Sequence, residues 1–244
     1  MTTQVDNPSD RALRAYARFA GFMYLFTNAA YAGSLLIVSG IVVDGNFATT
    51  ARNIAASELF YRIGLSTVLT ANMTTIVLGW ALYALLKPVG SNLALLGLVC
   101  RVAEAALFGV FTALGFAAII IYTGTASGFG LAARQEMSHL LSYAQAVGFN
   151  ISAIYFSPAS IIFFYLLFKS KFIPRILSLL GIVGSICVIV VCYATLIAPH
   201  YWRELQYGWA PIGAAELLVG LWLLFAGANL KYWYGRNGVR HEIS

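Results

Sequence analysis

The sequence predicts an all-α, polytopic membrane bundle. Two compositional observations carry that expectation. Of the 244 residues, 60% are hydrophobic and only 10% are charged, whereas a soluble domain carries about a quarter charged residues. The third observation is a pattern: apolar runs long enough to cross a bilayer recur along the chain, separated by short polar segments. Mean hydropathy is +0.80, and the length suits one compact bundle. A formal charge of +6 does not point to nucleic acid, because the basic residues lie between apolar runs, where membrane topology accounts for them.

Taken in order, residues 1–15 read as a polar cytoplasmic tail. Arg11, Arg14 and Arg18 share one face of a helix start and suit an anchor to acidic lipid. The first span is 16–43 and contains Asn28. Nothing before it resembles a cleaved signal peptide, so it is expected to be retained. Residues 44–57 form a polar loop with an Ala-rich, helix-prone part. Glu58 and Arg62 then make an i,i+4 pair, worth only ~0.3–0.5 kcal/mol if exposed.

The second span, 63–86, contains Asn72 and is expected to stop at Lys87-Pro88, since proline lacks the N–H that continues the ladder. A short turn, Val89 to Asn92, leads into the third span, 93–123, so these two are antiparallel neighbours. Gly-rich sequence follows, then an amphipathic piece at 131–141 with Arg134, Glu136 and His139. The fourth span, 143–168, carries Asn150 and Pro158; the proline should kink it unless neighbours satisfy the freed carbonyl. A basic turn with Lys169, Lys171, Pro174 and Arg175 precedes the fifth span, 176–197. An aromatic-rich loop leads to the sixth, 209–230, which carries Glu216. Residues 236–244 form the second cytoplasmic tail of a membrane domain spanning 16–235. No internal repeat is evident.

Six spans put both termini on one side. That side holds Arg11, Arg14, Arg18, Lys87, Lys169, Lys171, Arg175, Lys231, Arg236 and Arg240; the other holds Arg52, Arg62, Arg134 and Arg203. Ten against four predicts cytoplasmic termini. Residue counts then give depths at 1.5 Å per residue. Glu104 lies ~17 Å from the inner boundary and ~13 Å from the outer one in a ~30 Å core. Glu216 and Asn150 lie ~10 Å below the outer boundary, and Asn28 and Asn72 ~12–14 Å below it. Strong polar groups from five helices therefore reach one level in the outer half.

Several stretches together resemble a family: RFAGFMYL, GNFATTARNIAASELFYRIG, ALYALLKPVGSNLALLGLVCRVAEAALFG, FFYLLFKSKFIPRILSLLGIVG and PIGAAELLVGLWLLFAGA, in that order. They are similar to the bacterial domain-of-unknown-function 4386 family of multi-pass membrane proteins. On that resemblance, Asn53, Glu58, Arg62, Pro88, Arg101, Glu104, Pro174, Arg175 and Glu216 fall at recurring positions. The resemblance implies the fold and carries no established activity.

Arg101, Glu104 and Glu216 are the leading site candidates, because ionisable groups inside a span are costly and face partners or a cavity. Arg101 would be the anion contact. Apolar surroundings favour a protonated carboxyl and a neighbouring arginine an ionised one, so one arginine against two glutamates leaves a candidate for each catalytic role. The alternative is an Arg–Glu pair that only sets helix register. Asn28, Asn72 and Asn150 either line the same ligand site or bond neighbouring helices, at ~0.6 kcal/mol each.

Glu136 and His139 form an E-x-x-H without the second copy that di-metal bundles use, so no metal site is expected; with His200 they read as exposed surface. Cys100, Cys187 and Cys192 lie in apolar runs and give neither a disulfide framework nor a zinc motif. Tyr201, Trp202, Trp209, Tyr232 and Trp233 read as interfacial belts. Phe116 and the aromatic run at 155–168 read as packing. All four lysines lie at span ends, against a retinal Schiff base, and no cofactor is expected.

Three functions fit. The first is binding of a small amphiphilic or lipid-like ligand in an outer-half cavity, with membrane lipid as the partner. The second is intramembrane acid/base catalysis on a lipid, such as isomerisation or cyclisation. The third is a non-catalytic accessory or scaffold subunit. The expected location is the bacterial inner membrane or plasma membrane. A transporter has little support without repeats or paired broken helices.

Overall fold

The computed structural model describes residues 8–125 and 128–230. Among them the chain is helical, with no strand. The elements are α1 (Pro8–Ser39), α2 (Phe47–Ala56), α3 (Glu58–Thr123), α4 (Leu131–Ser170), α5 (Arg175–Ile197), α6 (Trp202–Leu205) and α7 (Ala210–Phe225). Single 3₁₀ turns at Pro199–Tyr201 and Gln206–Trp209 flank α6. Five segments, 10–39, 58–123, 131–170, 175–197 and 199–225, are long and apolar enough to cross a membrane.

At 66 residues α3 would extend ~99 Å if straight, several times the ~30 Å hydrocarbon core. It is instead a hairpin. Gly90 departs from helical geometry (φ −177°, ψ 86°), and the arms on either side, 58–89 and 91–123, fold back on each other. Gly79 packs against Arg101 and Gly115 against Leu65, pairs placed symmetrically about residue 90. The reversal falls inside the turn expected at residues 89–92, while the helix expected to stop at Lys87-Pro88 runs on through Val89. Proline's fixed φ is itself helical, so Pro88 is accommodated and the chain reverses at Gly90.

The six rods close into a ring. Thr27 Oγ1 donates to Thr74 Oγ1 at 2.9 Å, joining α1 to the first arm. The Phe111 ring covers Gly148 and the Phe163 ring covers Gly97, joining the second arm to α4. Phe164 over Gly181 joins α4 to α5, Ile212 at Gly184 joins α5 to α7, and the Gly220–Leu224 backbone at Gly21 returns to α1. Small residues at these crossings admit the close approach by which apolar helices associate in lipid.

Several boundaries differ from the sequence reading. Helix α1 already begins at Pro8, within the expected 1–15 tail and ahead of the expected span start; Asp10 sits in its first turn, where the macrodipole favours an acid. The amphipathic piece and the fourth span are one 40-residue helix that runs unbroken through Pro158. The last helix ends at Phe225 rather than 230, because Gly227 turns left-handed (φ 70°) and its N–H bonds Trp222 O. The expected positions of residues 1–7, of the 236–244 tail, and of Tyr232 and Trp233 lie outside the described residues.

Two hydrophobic clusters fill the ring's ends. The larger surrounds Leu82, Leu85, Leu86, Phe163, Phe164, Leu167 and Phe172 near the Gly90 turn. The smaller gathers Ile41, Phe47, Ile54, Tyr61, Ile119 and Tyr122 beneath α2. The α2 helix is amphipathic: Phe47, Thr50 and Ile54 point inward, and Asn46 caps its start by accepting from Thr49 N. Thr50 and Asn53 clip it to the Val43 and Ile41 backbone. The level between the clusters is not filled, and the ionisable side chains lie there.

Candidate functional site

A cavity of about 700 Å³ opens between the clusters, bounded by α1, both arms of α3, α4 and the start of α7. Its volume falls within the ~300–1,000 Å³ of small-molecule sites. Its walls are mostly apolar, with Leu35, Val38, Leu65, Val68 and Leu78 among them. The aromatic residues Tyr31, Phe108, Phe149, Phe156 and Trp209 form one side. They contact in succession: Tyr31 to Phe108 at 6.0 Å between centroids, Phe108 to Phe149 at 5.5 Å, and Phe149 to Trp209 at 5.3 Å.

The floor is charged. Arg101 is 2% exposed and projects from the second arm of α3. Its Nη1 donates to Glu104 Oε2 at 3.1 Å, and its Nη2 donates to Ser160 Oγ at 2.8 Å. The same Nη2 lies 3.6 Å from Glu216 Oε1. The Phe156 ring covers the guanidinium at 4.5 Å, a favourable cation–π geometry. Asn28 Nδ2 donates to Glu216 Oε2 at 3.3 Å and to Tyr24 O at 2.9 Å. Four of the six rods are thus tied at one level: α1, the second arm of α3, α4 and α7.

Arg101, Glu104, Glu216 and Asn28 all come together as the residue counts require. Asn72 does not line the cavity; its Oδ1 accepts from Tyr31 OH at 2.8 Å, while its buried Nδ2 has no partner among the described residues. Asn150 does not join the group. Its Nδ2 bonds Ala146 O of its own helix, because α4 presents Gln145, Phe149, Ser152 and Phe156 to the cavity and residue 150 lies a 100° step away. Equal depth does not imply a shared face.

Sequence reasoning missed Ser160 and the role of Phe156. The α4 stripe Gln145, Phe149, Ser152, Phe156 and Ser160, spaced by threes and fours, was the available signal. Sequence reasoning gave Arg134 only a place in the amphipathic piece, with no partner. Arg134 instead donates to Ile121 O and Tyr122 O at 2.8 and 2.9 Å, closing the C-terminal end of α3. Glu136 and His139 are exposed. Among the described residues no three His, Cys, Asp or Glu side chains gather as a metal site.

The arrangement holds two carboxyl groups around one guanidinium at the base of an apolar chamber. A family model described as a domain of unknown function (DUF4386) matches residues 19–227, a range enclosing every floor residue. No curated protein and no solved structure matches the chain.

Proposed function

Because the chain belongs to the family of the domain of unknown function DUF4386, whose name specifies no activity, we propose its function from the cavity. It is a membrane protein that holds a small amphiphilic or lipid-like ligand within the bundle. The chamber itself carries this reading: about 700 Å³, apolar-walled, with its polar groups confined to one end. An apolar tail fits the walls and a polar end fits the floor. Asn28 contributes to that floor, Asn72 supports the wall through Tyr31, and Asn150 has no part.

The two arms of α3 each cross the bilayer, giving six crossings. The ten-to-four bias of Lys and Arg puts both termini in the cytoplasm of a bacterial inner or plasma membrane. The cavity then lies in the outer half. Native mass spectrometry of the protein extracted in lipid nanodiscs tests the binding. The expected result is a bound amphiphile that is lost when Gly213→Trp fills the chamber. A wild-type protein that carries no amphiphile and takes up none overturns the reading.

A second reading is intramembrane acid/base catalysis on such a ligand. Glu104 and Glu216 favour it, since both carboxyls adjoin one guanidinium and both line the cavity. Conversion of the bound amphiphile that disappears in both Glu104→Gln and Glu216→Gln supports it; binding without conversion leaves the first reading. An accessory role is the outcome if Arg101→Leu/Glu104→Leu folds and its host is unaffected.

A further inference from the structure

We propose that the polar end of the ligand is cationic, an amine or ammonium group seated against Glu104 and the aromatic wall. This inference rests on the amphiphile-binding reading and names the ligand's head group. It departs from the expectation that Arg101 contacts an anion.

The charge count is the first argument. Among the described residues lining the cavity, only Arg101, Glu104 and Glu216 are charged. One guanidinium faces two carboxyls, so with both ionised the floor carries one negative charge in excess. A cationic head group neutralises it, and an anionic one adds to it.

The second argument is that both terminal nitrogens of Arg101 are already engaged by the protein. Nη1 donates to Glu104 and Nη2 to Ser160, with Glu216 Oε1 a further 3.6 Å ion-pair contact of Nη2. Phe156 covers its face. Nε has no partner, yet it is fully buried and offers almost no surface to an incoming group. An anion would have to break existing bonds and approach past two carboxyls.

Glu104 is the opposite case. It is 9% exposed and lines the cavity. Its Oε2 is bonded to Arg101, while Oε1 has no hydrogen bond among the described residues. That oxygen is an acceptor without a donor, beside a chamber large enough to bring one. Tyr31, Phe108, Phe149 and Trp209 line the same chamber, and aromatic rings attract ammonium groups through their faces. Asn28 and Ser160 already donate or accept within the floor, and the unpaired Arg101 Nε is buried, so the unmet group beside the chamber is the Glu104 acceptor.

Three single-chain amphiphiles with the same dodecyl tail test this: dodecyltrimethylammonium, dodecanol and dodecanoate. Each is titrated, below its micellar concentration, into the full chain in zwitterionic nanodiscs, with empty nanodiscs as the blank. The expected result is that the ammonium binds at least about tenfold more tightly than the carboxylate, with the alcohol between them. Glu104→Gln should erase that preference while the alcohol still binds. Equal or tighter binding of the alcohol or carboxylate to wild type overturns the cationic head group and leaves the amphiphile site standing. Retention of the preference in a folded Glu104→Gln also overturns it. If none of the three binds wild type, the amphiphile reading itself falls. The wild-type series decides the matter even where Glu104→Gln does not fold.

Discussion

Arg101 Nη2 stands 3.6 Å from Glu216 Oε1, an ion pair that fastens the second arm of α3 to α7 in the interior of the bundle. Removing the arginine alone leaves two carboxyls facing each other without a cation. Breaking a buried pair from one side costs about 3–5 kcal/mol. Arg101→Leu should therefore lower the thermal melting midpoint strongly in detergent. Arg101→Leu/Glu104→Leu/Glu216→Leu should recover most of the loss, since well-packed apolar replacements of a whole buried cluster are often neutral. A triple variant that melts with the single one would show that the cluster stabilises by packing rather than by charge balance.

Gly148 lies beneath the Phe111 ring so closely that a Cβ there would overlap it. Gly148→Ala should destabilise by about 1–3 kcal/mol through overpacking. Phe111→Ala/Gly148→Ala should show coupling of opposite sign, the second substitution costing less once the ring is gone. A double-mutant cycle on melting midpoints reads the difference, and strict additivity would deny the contact.

How much of this was legible before the structure depends on which coordinate a residue's position needs. Apolar runs and basic turns locate the rods along the chain, and residue counts locate Arg101, Glu104 and Glu216 at a common depth. Rotation about each helix axis is a separate coordinate. Asn150 has the correct depth and the wrong face, while the α4 stripe ending at Ser160 carried the rotational information. The reversal at Gly90 falls within the turn read at 89–92, and only the helix end before it was misplaced. Pro88 is the conspicuous breaker, yet its φ suits a helix, and the geometry changes at the next glycine. Arg134 had no local signal at all, since its acceptors belong to the end of another helix.

That end of α3 gives a third prediction. Arg134 satisfies two carbonyls there and lies 5.7 Å from the Phe47 ring, so it also braces α2. Hydrogen bonds from a charged donor contribute about 1.5–3 kcal/mol. Arg134→Met should raise amide exchange across residues 118–123 and 47–56 while leaving the Gly90 end protected. Arg134→Lys should restore little, because a single ammonium does not reproduce the two-pronged donor geometry.

Orientation is testable at two exposed turns at opposite ends of the bundle. Asp44 lies between α1 and α2, and Lys87 lies beside the Gly90 turn. With Cys100, Cys187 and Cys192 replaced by alanine, Asp44→Cys should react with an impermeant maleimide added to cells whose outer face is accessible. Lys87→Cys should react only after the membrane is opened. The reversed pattern would put the ten-residue basic side outside, against the rule that such residues stay in the cytoplasm.

Gly213 separates the chamber from the fold that contains it. It lines the cavity, and a Cβ built there meets nothing within 4 Å. A side chain added at this point enters space that no packing contact uses. Glycine inside a helix also costs about 1 kcal/mol relative to good helix formers. Gly213→Trp should therefore hold or raise the melting midpoint while abolishing amphiphile uptake. Gly148→Ala should do the reverse, lowering stability through a crossing that does not line the chamber. If Gly213→Trp unfolds the protein, the space beside α7 is not open. If it folds and still binds, the ligand lies elsewhere.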